Sequence, residues 1–326
     1  MIRTKYINLL FLSTVLFFNQ TKEVVKNFIK PEFKGAFVYN KDTFLWTETF
    51  GCSNNPCILL IHGAGSHRKF WPDTFCKKLA QHNFFVIRYD QRDSGYSKRY
   101  TKNQSQSLCY SFNDLTNDAC AILDYYTLKK AHVIGHSMGG CIAAGLTALH
   151  GDRLLTTTIL GSGDVFNTEE HKKFNLSKRS EDLFKQLRSY KPIGWYAYDK
   201  ATLLEKTKLV HGNYTIDESL FDDYTQEFYS FLQKRPSIKN HIVALQTKPK
   251  TLVGDLNKSS IKTLILHGTH DTIIPYDWAE MLSKQMTNAT FISLVGAGHM
   301  YFNQDLWNLF EQEITAFILK SCYRSH

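Results

Sequence analysis

Six short apolar runs punctuate the chain: CILLIH (57–62), FFVIRYD (84–90), AHVIG (131–135), TTTILG (156–161), KTLILHG (262–268) and ATFISLV (289–295). Runs of this length, rich in β-branched and aromatic residues and almost unbroken in apolar character, fit strands that are covered on both faces. Amphipathic stretches of helical spacing separate most of them, and this alternation predicts a mostly parallel sheet with helices on both sides. A hairpin over roughly Gly35 to Phe50 adds two more strands, for about eight in all. With 326 residues, 43% hydrophobic and 14% aromatic, the chain can bury a large core, as one big α/β domain with an insertion or as two domains. No internal repeat or low-complexity segment interrupts it.

One interval breaks the rhythm. From about Asp164 to Asp255 the chain turns polar, aromatic and helix-like, with HKKFNLSKRSEDLFKQLRSY and ESLFDDYTQEFYSFLQKR and no long β-run. The expected division is therefore a core of residues 34–163 and 256–320 and a helical lid of residues 164–255, inserted after the sixth strand. An insertion there sits over the carboxyl edge of the sheet, where open α/β folds bind ligands.

The N-terminus is a separate matter. Arg3 and Lys5 precede INLLFLSTVLFF, a charged start and short apolar stretch that match a signal peptide over residues 1–22. The stretch falls short of the roughly 20 apolar residues a membrane span needs, and FFNQTK offers no small-residue cleavage site, so an uncleaved anchor is the alternative. The expectation is export, with a cytoplasmic location as the other reading. Seven cysteines fit either compartment; Cys52 and Cys57 flank SNNP and would close a small disulfide in an exported protein, and no C-x-x-C pair suggests zinc or thiol chemistry. A net charge of +9 would favour anionic partners, acidic lipid head groups among them, but a simply solvated basic surface is the better reading. The Lys and Arg residues are scattered, without a zinc-finger or RNA-binding pattern, which argues against nucleic acid.

The chemistry is written in Gly135, His136, Ser137, Met138 and Gly139, directly after AHVIG and before the Ala/Leu-rich CIAAGLTALH. Glycine on either side of Ser137 permits a sharp strand-to-helix turn that lifts the hydroxyl above the sheet. A serine hydroxyl then needs a base. Asp271 follows the strand LILHG and His299 follows the last strand in a Gly-Ala-Gly-His turn, so the order is nucleophile, acid, base. His299 would take the Ser137 proton and Asp271 would hold the imidazole tautomer; Asp164, after an earlier strand, is the alternative carboxylate. The loop HGAGSH supplies close-approach backbone at Gly63, Ala64 and Gly65, and the Ala64 and Met138 amides are the expected oxyanion donors. It lacks the Lys and Ser/Thr of a phosphate loop. Candidate pocket residues are His136, Phe166, Trp195, Tyr196, Tyr224 and Met300. No metal and no cofactor is implied, and His267 reads as a packed residue.

Five motifs together, HGAG (62–65), YDQRDSGYS (89–97), GHSMGG (135–140), HGTHDTIIP (267–275) and GAGH (296–299), make the chain resemble the α/β-hydrolase superfamily over roughly residues 34–320. The stretch WPDTFCKKLAQHNFFVIRYDQRDSGYS is similar to the group that includes the aclacinomycin methylesterases, whose RD-x-G-x-S loop matches Arg92, Asp93, Gly95 and Ser97; these four are assigned to loop structure. The resemblance implies hydrolysis of a carboxylic ester, small-molecule or lipid, through an acyl-enzyme on Ser137. A lipase at membrane surfaces and a non-catalytic hydrolase-fold binding protein are the alternatives. Dehalogenases and epoxide hydrolases, which carry Asp at the nucleophile position, and proline iminopeptidases, marked by HGGPG and GGSWG, fit less well.

Overall fold

A computed structural model describes residues 35–100, 109–163, 196–230, 238–249 and 252–323. The chain divides into two units, Met1–Gly35 and Ala36–His326; the first lies outside the described residues apart from Gly35, and with it the expected export signal. Strands β1 (Gly35–Asn40), β2 (Thr43–Phe50), β3 (Cys57–Ile61), β4 (Phe85–Tyr89), β5 (Ala131–His136), β6 (Leu154–Leu160), β7 (Thr263–Gly268) and β8 (Ala289–Leu294) form one sheet. The spatial order is β1-β2-β4-β3-β5-β6-β7-β8. Strand β2 runs antiparallel to β4, and β3 to β8 are mutually parallel, so their carboxyl ends share one edge.

Alternation along the strands sorts the core into two faces. Leu59, Ile61, Ile87 and Val133 bury against helices α2 (Phe112–Tyr125) and α3 (Met138–Leu149). Ile58, Leu60, Val86 and Ile134 point the other way, into α1 (Asp73–Gln81) and α9 (Gln304–Tyr323), through Phe75, Leu79, Leu306 and Phe310. The central strands β3, β4 and β5 are buried throughout, which is why they read as continuous apolar runs. Edge strand β8 is half-exposed.

Between β6 and β7 the described residues form helices α4 (Tyr196–His211), α5 (Glu218–Ser230), α6 (Ile238–Leu245) and α7 (Leu252–Lys258); α8 (Tyr276–Gln285) follows β7. The helical insertion after the sixth strand is thus present. The expected boundary at Asp255 falls inside α7, whose Leu252 and Leu256 are buried among core residues. Cys52 and Cys57 are free thiols, Cys52 exposed and Cys57 buried. The Cys57 side chain belongs to the β3 core face, and burial pushes its thiol pKa up.

Candidate active site

Three of the strand ends converge. Ser137 caps α3 at φ 54° and ψ −118°, a left-handed conformation that non-glycine residues avoid. Its amide donates to the Leu160 carbonyl at 3.0 Å, tying the turn to β6. The flanking glycines are required by contact: a Cβ on Gly135 would lie 2.0 Å from the Gly139 carbonyl oxygen, and one on Gly139 would lie 2.1 Å from the Ile61 oxygen. Backbone atoms cannot step aside, so only G-x-S-x-G closes this turn against β3.

Ser137 Oγ lies 3.0 Å from His299 Nε2, and His299 Nδ1 lies 2.8 Å from Asp271 Oδ2. A carboxylate only accepts, so Nδ1 carries the proton and Nε2 is left to receive one from the serine. The other carboxylate oxygen of Asp271 accepts the Ile273 and Ile274 amides, each at 2.8 Å. The Asp271 side chain is fully buried and that of His299 nearly so. The structure therefore brings Ser137, Asp271 and His299 into one chain of hydrogen bonds; the alternative carboxylate, Asp164, lies outside the described residues.

The loop after β3 abuts Ser137. A Cβ on Gly63 would be 3.1 Å from Ser137 Cβ, so the Ala64 amide follows the residue in contact with Ser137. The Met138 amide belongs to the first helical turn, whose N–H groups have no intrahelical acceptor. His62 fixes the base of the loop, with Nδ1–H donating to the Gly63 carbonyl at 2.8 Å and Nε2 accepting the Gln91 amide at 3.1 Å. Burial, ahead of an opposing pull from Asp90, holds the His62 pKa down at about 4, so this ring stays neutral.

The expected pocket residues have mixed fates. Phe166 and Trp195 lie outside the described residues, as does the side chain of Tyr196, although its backbone opens α4. Tyr224 is buried on α5, stacked on His67 at 4.4 Å with its hydroxyl 3.1 Å from Ser66 Oγ. Met300 is half-buried beside the second core layer. His136 is only 2% exposed; it stacks on Phe70 at 4.1 Å and donates from Nε2 to the His299 carbonyl at 2.9 Å. Its ring lies 4.9 Å from that of His299, and burial lowers its pKa well below the ordinary histidine value. His267 is packed as expected, its Nε2 donating to the Ile274 carbonyl at 3.0 Å.

Sequence reasoning missed the insertion's grip on the loop bearing His299. The Val210 carbonyl at the end of α4 accepts the His299 amide at 2.6 Å and the Met300 amide at 3.1 Å, and the His211 carbonyl accepts Gly298. His211 Nε2 accepts the Phe302 amide at 2.9 Å, and Gly212 bridges to Ala297. The one local signal was the glycine of GAGH: a Cβ on Gly298 would sit 2.3 Å from the Val210 oxygen.

Residues 56–305 match the family model described as alpha/beta hydrolase fold. The chain belongs to this family. Among curated relatives, rhodomycin D methylesterase of Streptomyces sp. (strain C5) is 40% identical over 119 residues, 36% of this chain and 39% of that protein. The similarity to that methylesterase thus spans about two-fifths of its length. The AB hydrolase superfamily protein YisY of Bacillus subtilis (strain 168) is 23% identical over 248 residues, 76% of this chain and 86% of the relative. Among solved structures, an esterase from Exiguobacterium antarcticum superposes with a TM-score of 0.66 at 20% identity, covering 87% of this chain and 99% of its own. A membrane phospholipase A gives 0.68 at 21% identity, covering 98% and 99%. At these identities the two structures speak to fold alone.

Proposed function

We propose that the protein is a serine hydrolase that cleaves a carboxylic ester through an acyl-enzyme on Ser137. The observation that carries this reading is the unbroken hydrogen-bond chain from Ser137 Oγ through His299 to buried Asp271. In the proposed reaction Ser137 Oγ attacks the acyl carbon as its proton passes to His299 Nε2. The Ala64 and Met138 amides hold the tetrahedral oxyanion. Collapse breaks the bond to the alcohol, which leaves with the proton from His299. Water, deprotonated by the same His299, then attacks the acyl carbon, and collapse of this second intermediate breaks the bond to Ser137 Oγ, which takes the proton back from His299 as the carboxylic acid leaves. Asp271 steadies the imidazolium throughout.

The methylesterase relatives make small methyl esters the first substrates to try, with short-chain and long-chain acyl esters beside them. In this proposal the insertion of residues 164–255 acts as the lid that selects among them, and the N-terminal segment directs export or anchors the protein at a membrane surface. The test is rapid mixing with p-nitrophenyl acetate followed by intact-mass analysis. A burst of nitrophenol and a mass increase of one acetyl group, both abolished in Ser137→Ala, are expected. A folded wild type with neither would leave the non-catalytic binding protein as the better reading.

A further inference from the structure

The peptide following Ala64 in the loop after β3 is held by the insertion. Gly65 adopts φ 68°, and its amide donates to Nδ1 of His241 on α6, 3.0 Å away and 176 residues along the chain. The second ring nitrogen, Nε2, lies 2.7 Å from the Arg92 carbonyl. A carbonyl only accepts, so Nε2 bears the hydrogen and Nδ1 presents a lone pair to Gly65. His241 is fully buried. Burial holds its pKa below the ordinary histidine value, against opposing pulls from the Arg92 carbonyl and Asp93, so the ring keeps the neutral tautomer this geometry needs. Its helix is fixed in turn, because Asn240 Nδ2 donates to Asp93 Oδ2 at 2.8 Å. Tyr110 donates its hydroxyl to that same oxygen at 2.9 Å. His241 thus joins three segments: the insertion, the loop after β3 and the loop after β4.

We infer that His241 is a positioning residue for the proposed oxyanion-binding loop: by anchoring the peptide that follows Ala64 it fixes the Ala64 backbone, so that the Ala64 N–H, carried by the preceding peptide, faces the acyl oxygen. This rests on the reading of Ser137 as nucleophile. The insertion then does more than cover the site: a residue of α6 sets the geometry of the group that stabilises charge in the transition state. The bond that matters is the one from Gly65, and the bond to Arg92 serves to fix the tautomer.

Two variants separate these bonds. His241→Asn places an acceptor near the Nδ1 position and shortens the reach to Arg92, whereas His241→Gln reaches toward Arg92 and leaves Gly65 without its acceptor. The assays are p-nitrophenyl acetate turnover and inhibition by an aryl trifluoromethyl ketone, whose adduct with serine carries the oxyanion. Losing one oxyanion donor outright costs about 10²–10³ in kcat; a misdirected donor should cost about ten- to a hundredfold. His241→Gln should show that loss in kcat with KM changed less than threefold, and a matching loss in ketone affinity. His241→Asn should stay within about threefold of wild type on both. Equal losses in the two variants, or a loss confined to KM, overturn the inference while leaving the esterase reading intact. A wild type that neither turns over the ester nor binds the ketone overturns both. Nitrogen-15 NMR of the wild-type imidazoles supplies a check free of any variant: His241 should be the Nε2–H tautomer, and an Nδ1–H tautomer would refute the assignment.

Discussion

Replacing Ser137 by glycine should stabilise the protein relative to replacing it by alanine, reversing the usual order. Both variants lose the same hydroxyl and its bond to His299, so their difference isolates the backbone. At ordinary positions glycine is less stable than alanine by about 0.5–1 kcal/mol, because it gains more freedom in the unfolded chain. At φ 54° and ψ −118° any Cβ-bearing residue carries strain on the order of 1–3 kcal/mol. Strain outweighs entropy over most of that range, and the net expectation is a Ser137→Gly variant about 1 kcal/mol more stable than Ser137→Ala. Paired urea titrations with a common m-value measure it, and the melting temperatures should differ by about 2 °C in the same direction. An alanine variant as stable as the glycine variant, or more so, would refute the claim that the turn holds residue 137 under strain.

Asp271→Asn keeps an acceptor for the Ile273 and Ile274 amides but presents the wrong partner to His299 Nδ1, and kcat should fall by about 10³–10⁴, as the triad mechanism predicts; a loss under tenfold in steady-state turnover would contradict the assigned role. Arg68 is fully buried among Glu48, Asp90 and Glu227, at 2.6, 3.0 and 2.7 Å, so Arg68→Met strands buried carboxylates. It should cost about 3–5 kcal/mol in urea unfolding, and a cost under about 1 kcal/mol would contradict it. Acid stability should depend on Glu48 and Asp73. Burial pushes both carboxyls up, but Arg88, with Arg68 on Glu48 and Lys69 on Asp73, outweighs it, lowering Glu48 below its ordinary value and Asp73 to about 2. Depressed carboxyls contribute stability above their unfolded pKa near 4 and lose it as pH falls toward 2. The melting temperature should drop across that window and Asp73→Asn should flatten part of the fall; an unchanged profile in the variant would exclude Asp73.

The sheet was legible because its signal is local. Strands β3, β4 and β5 are buried on both faces, so each announces itself as an apolar run, and Ser137 sits in a turn whose sterics demand glycine at two fixed places. Asp271 and His299 were legible by their position after β7 and β8. What could not be read is whatever depends on contact between distant segments. Nothing near residue 241 marks that histidine as the acceptor for Gly65, and nothing near residue 210 marks a carbonyl that receives the His299 amide. The buried stacking of His136 between Phe70 and His299 belongs to the same class, because adjacency to Ser137 says nothing of the rings that pack on it. The run of residues 252–258 is polar enough to resemble its neighbours, so nothing local showed that Leu252 and Leu256 of α7 pack among core residues.

The most direct test of the account is fluorophosphonate labelling of the wild type and Ser137→Ala, with mass mapping of the modified peptide. Covalent capture reports an activated serine whatever the natural ester is. The account predicts stoichiometric modification of Ser137 in the wild type and none in the folded alanine variant. A folded wild type that resists the probe, or one modified at another residue, would contradict the claim that His299 and Asp271 activate Ser137.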